Sequence, residues 1–89
     1  MTNHTFKYIG GSLNGTENTQ PIEHLQDREM ILDTETREPR EWYARDESRS
    51  SADMSCMFWQ GPVLNRTHAN QILTGHAKPR FATAKFRSA

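Results

Sequence analysis

The chain has 89 residues, enough for one domain and too few for two independent cores. Leu, Ile, Val and Phe supply only 14 of them, 16%, but the formal net charge is zero, which excludes the highly charged, weakly apolar composition of a disordered chain. A single folded domain with a small core is expected, in which two Trp, two Tyr, four Phe and four Met do much of the burying; a homodimer or a stable complex is one way to add buried area.

Cys56 is the single cysteine, so no internal disulfide forms. With no segment resembling a signal peptide, a reducing cytoplasmic setting is expected. No apolar run approaches the roughly 20 residues that span a bilayer, which argues against a membrane partner. The balanced charge is segregated along the chain. All 11 acids lie between Glu17 and Asp53, and residues 1–53 carry six cations beside them, whereas residues 54–89 carry Arg66, Lys78, Arg80, Lys85 and Arg87 and no acid. Such asymmetry suits an acidic partner at the C-terminal end, and it equally suits attraction between the two halves of the fold.

In chain order, Thr5 to Ile9 alternates Phe6 and Tyr8 with Lys7 and reads as a strand. Gly10-Gly11-Ser12-Leu13-Asn14-Gly15 tolerates positive φ and should turn the chain sharply, with Thr16 to Gln20 as a return strand or a loop. Pro21 to Gln26 is read as extended or as a single helical turn. Glu29 to Arg37 suits a strand with one wet face, and Glu41 to Asp46, centred on Trp42 and Tyr43, is the next. After a Ser-rich loop at Ser48 to Ala52, Asp53 to Gln60 is the most apolar stretch. It places Met54, Cys56 and Phe58 on one face and Met57 and Trp59 on the other, as in a central strand ended by Gly61-Pro62. Thr67 to His76 is the helix, with Thr67 as N-cap, Ala69, Ile72 and Leu73 on its buried face and Gly75 as C-cap. The fold class is therefore α+β, a small antiparallel sheet of about four strands with one short helix in the C-terminal half. Residues 77–89 form a basic tail or a last strand.

Catalytic and metal chemistry find little support. His4, His24, His68, His76 and Cys56 show no paired spacing for a metal and read as surface histidines and a structural thiol. Glu35, Glu38 and Glu41 read as a solvated strand and turn surface. The glycine run lacks the Lys and the following helix of a phosphate loop. No cofactor and no enzymatic activity are expected. The tail is the suggestive segment, because Lys78, Arg80, Lys85 and Arg87 interleave with Phe81 and Phe86, a pattern that neutralises phosphates while stacking on exposed bases. The other reading packs Phe81 and Phe86 onto the sheet and leaves the cations solvated or paired with the acidic half.

The opening Phe6-Lys7-Tyr8-Ile9-Gly10-Gly11-Ser12-Leu13-Asn14-Gly15 resembles the start of short tailed-phage proteins, which begin with an aromatic strand followed by Gly-Gly-x-Leu-Asp-Gly. Asn14 stands where Asp is usual and Ser12 where Pro is common. The resemblance covers about ten residues and implies a phage origin in a bacterial host. Small motif-free phage proteins of this kind are similar to host-takeover factors, including anti-CRISPR inhibitors. By that analogy the expectation is a non-enzymatic inhibitor that binds a host defence ribonucleoprotein or other protein complex and blocks its guide RNA or nucleic-acid channel. Arg66, Lys78, Arg80, Lys85 and Arg87 would contact phosphates, and Phe81 and Phe86 would stack or wedge. A nucleic-acid-binding regulator and a virion or scaffold component are the alternatives.

Overall fold

A computed structural model describes residues 3–21 and 27–80. In the first strand, β1 (Asn3–Ile9), His4, Phe6 and Tyr8 are buried on one side while Lys7 faces water, the period-2 alternation that the sequence carries. A single 3₁₀ turn (Gly11–Leu13) then reverses the chain into β2 (Glu17–Pro21), a wet edge strand paired antiparallel to β1, with Lys7 3.9 Å from Glu17 across the pair.

The second unit is a meander of β3 (Arg28–Leu32), β4 (Pro39–Arg45) and β5 (Met54–Pro62), antiparallel throughout. Asp33 nucleates the β3–β4 turn by accepting from the backbone N–H of Thr36 and Glu35, and these bonds hold its carboxyl below the usual carboxylate range. The two units join where β1 lies parallel to β5, which gives a five-stranded mixed sheet in the order β2-β1-β5-β4-β3. The expectation of about four antiparallel strands is corrected accordingly. Alternation within a strand reports which side is buried, not the direction of its neighbour.

β5 is central, and it runs through Gly61-Pro62 instead of ending there. Trp42 pairs with Gly61 and Tyr43 with Trp59, so Gln60 is an extra residue that bulges the strand and lets it continue. Gly61 takes φ 125, a backbone closed to side-chain-bearing residues, and Pro62 at the strand's last position interrupts no interior ladder bond.

The sheet curls. Tyr8 on β1 donates to Glu29 Oε1 on β3 at 2.6 Å, although β5 and β4 lie between those strands in the sheet order. The inner face carries Phe6, Tyr8, Tyr43 and Met57, with the Tyr8 and Tyr43 rings edge to face at 5.2 Å. On the opposite face Trp42, Ala44 and Met30 receive the helix α1 (Arg66–Leu73) through Ile72.

The helix starts two residues earlier than its sequence suggests. Asn65, not Thr67, is the N-cap, its Oδ1 accepting from His68 N at 2.8 Å. Gly75 follows the C-terminus at φ 83, as the glycine signal implies. Leu73 is 74% exposed instead of buried, because it sits about 100° round the helix from Ile72 and falls outside the stripe that Ala69 and Ile72 present to the sheet.

Candidate nucleic-acid interface

The glycine motif is built into the fold. The Tyr43 hydroxyl donates to Gly10 O at 2.7 Å and accepts from Leu13 N at 3.0 Å, tying the 3₁₀ turn over the curled face. Gly10 N donates to Asn14 Oδ1 at 2.8 Å, and Ser12 donates to Glu41 from both its N–H and its hydroxyl, at 3.2 and 3.0 Å. Gly15 N donates to Tyr8 O. The amides of Gly10, Ser12, Leu13 and Gly15 thus have acceptors within the protein, so the loop is no cradle for phosphate. Gly11 is required sterically: a Cβ there would lie 2.3 Å from Trp59 Cδ1, at a φ of +65. Glu41, read from sequence as solvated, is 8% exposed and serves this turn. A charged residue next to Trp42 and Tyr43 gives no sequence signal that a loop some 30 residues away will reach it.

The histidines divide. His4, expected at the surface, is 1% exposed on the curled face, with Nε2 2.7 Å from Ser55 Oγ. Ser55 Oγ also accepts from Arg45 Nε at 2.9 Å, so one hydroxyl joins His4 to Arg45. His24 lies outside the described residues. Cys56 is buried, and burial pushes its thiol up, away from the thiolate that nucleophilic chemistry needs. Burial likewise raises the phenols of Tyr8 and Tyr43, with Glu29 adding to the effect at Tyr8. Among the described residues no three His, Cys, Asp or Glu side chains group to hold a metal, and no helix is long and apolar enough to cross a membrane.

The basic residues gather around α1. Arg66 opens the helix. Beyond it the chain is drawn back over the sheet: Arg28 Nη1 donates to Ala77 O at 2.5 Å, and the Arg80 N–H donates to Oε1 of Gln60, the bulge residue, which is 3% exposed. Arg80 Nη1 also reaches Gln60 O at 3.3 Å. The strand bulge therefore positions the start of the basic segment. Two open grooves result, with Leu64, 73% exposed, in the wall of both. One, about 430 Å³, is lined by His68, Gln71, Lys78 and Arg80; the other, about 490 Å³, by Arg37, Glu38, Asn65 and Arg66. His68 Nδ1 accepts from Leu64 N at 3.1 Å, which leaves Nε2 as the ring's other hydrogen-bonding atom.

Four ion pairs occur among the described residues, and they join Lys7 to Glu17, Arg40 to Asp33, Arg45 to Glu47 and Arg49 to Asp46. None involves Arg66, Lys78 or Arg80, so within the described residues the cations of the basic half are not matched by carboxylates. The structure brings Lys78 and Arg80 into one groove and sets Arg66 in the other. Phe81, Lys85, Phe86 and Arg87 lie outside the described residues. Leu64, His68 and Arg37 were missed in the sequence. The first two stand in a stretch read only as the approach to a helix, and Arg37 comes from the acidic half through tertiary structure alone. Compared with protein-family models, curated proteins and solved structures, the chain matches none.

Proposed function

We propose that this is a non-enzymatic binding protein whose basic face around α1 holds the phosphate backbone of an RNA, and that it acts as a phage-encoded inhibitor on a host defence ribonucleoprotein such as a CRISPR effector complex. The observation that carries the RNA-binding part is the grouping of Arg66, Lys78 and Arg80 around Leu64 with no carboxylate paired to them among the described residues. Cations held on a rigid helix start and on a segment pinned to a strand bulge are presented to a polyanion at little ordering cost. In the sequence, Lys85 and Arg87 follow with two more cations, and Phe81 and Phe86 are of the residue type that stacks on bases. The inhibitory role and the phage origin rest on the resemblance of the Gly-Gly-Ser-Leu-Asn-Gly opening.

The test is target-DNA cleavage by purified, guide-loaded effector complexes of several types, with the chain added. Inhibition of at least one type, lost in an Arg66→Ala/Lys78→Ala/Arg80→Ala variant that keeps its thermal stability, is the expected result. Inhibition that survives in the variant removes the basic face from the mechanism. No inhibition of any type, together with binding of free RNA, would favour a nucleic-acid-binding regulator.

A further inference from the structure

Arg37 is the one residue other than glycine with positive φ among the described residues, at φ 63; Gly10, Gly11, Gly15, Gly61 and Gly75 hold the other such positions. Left-handed backbone is unfavourable for any residue with a Cβ, and the β3–β4 turn imposes it through Arg37 N to Asp33 O at 2.9 Å and Asp33 N to Glu38 O at 2.8 Å. Glycine would satisfy that turn without strain. The Arg37 guanidinium does no work in the fold, having no hydrogen bond or ion pair among the described residues, yet it lines the groove that Arg66 also lines. A strained position held by a side chain that the fold does not use points to a ligand.

We infer that Arg37 binds phosphate and that a single-stranded RNA crosses Leu64, with consecutive phosphates held by Lys78 and Arg80 on one side and by Arg37 and Arg66 on the other; this rests on the RNA-binding reading above. The cations stand in two pairs in separate grooves that share an apolar wall, instead of converging on one point. That arrangement suits a continuous phosphodiester chain, whereas a small anion is held by donors aimed at a single centre. Leu64 offers its exposed side chain to a base lying between the two phosphate sites.

Fluorescence anisotropy of a labelled 12-nucleotide oligouridylate at low salt tests this, with Arg37→Gly, Arg37→Lys and Lys78→Ala/Arg80→Ala beside the parent chain. Arg37→Gly should weaken binding by about three- to tenfold and reduce the slope of log K against log salt by about 0.7, the value of one lost contact to a single strand. The same variant should melt higher by roughly 2–5 °C, since the turn is relieved of strain, a change that a merely structural role would reverse. Arg37→Lys should restore most of the affinity. If Arg37→Gly binds like the parent while Lys78→Ala/Arg80→Ala is weakened, the path past Arg37 is wrong and the RNA-binding reading stands. If the parent chain fails to bind, both fall. Displacement of the oligomer by ATP at equal phosphate concentration would overturn the continuous-strand path in favour of a single anion pocket.

Discussion

Carboxylates between Glu17 and Asp53 are largely committed to the fold: Asp33 shapes a turn, Glu41 holds the glycine loop, Glu29 takes the Tyr8 hydroxyl, and Asp46 caps the 3₁₀ turn at Glu47–Arg49. Arg66, Lys78 and Arg80, by contrast, form no ion pair among the described residues and line open grooves, Glu38 sharing the one with Arg66. Among the described residues no ion pair joins a carboxylate of the acidic half to a cation of the basic half. The contrast teaches that a charge count along the sequence cannot separate structural ions from presented ones; what separates them is whether backbone amides and hydroxyls surround the group.

That contrast can be broken from the acidic side first. Gly11→Val should cost the most, about 2–4 kcal/mol by urea denaturation, from the left-handed backbone together with the clash on Trp59. Glu41→Ala leaves the Ser12 N–H and hydroxyl without their acceptor and should cost about 1–3 kcal/mol in the same measurement. The basic side should respond in the opposite manner. Arg66→Ala/Lys78→Ala/Arg80→Ala should change stability by less than about 1 kcal/mol while removing most RNA affinity, because these side chains hold little of the fold. A stability loss matching that of Glu41→Ala would place them in the core structure instead. Asn14→Asp should have the smallest effect, within about 0.5 kcal/mol, since the side chain's accepting Oδ1 is kept for Gly10 N.

The local elements were legible where a single periodicity governs them. The alternation of Phe6 and Tyr8, the apolar run at residues 54–60 and the glycine cluster at residues 10–15 each announce their structure, and β1, β5 and the turn from β1 into β2 follow. The parallel pairing of β1 with β5 was not legible, because it depends on how two antiparallel units meet. Nor was the burial of His4 and Glu41, whose partners Ser55 and Ser12 are distant in the chain. For the candidate interface, the sequence indicated Arg66, Lys78 and Arg80 through charge alone. Arg37 escaped because its significance is a backbone angle and a neighbour across the fold, and neither is written in local composition.

The most direct test is an amide chemical-shift map of the ¹⁵N-labelled full-length chain titrated with oligouridylate at low salt. Shifts concentrated at residues 37–38, 63–71 and 77–80, with His4, Tyr8 and Tyr43 unmoved, are the predicted result. Shifts confined to the curled face, or none anywhere, would contradict the claim that the basic face around α1 is the one presented to RNA.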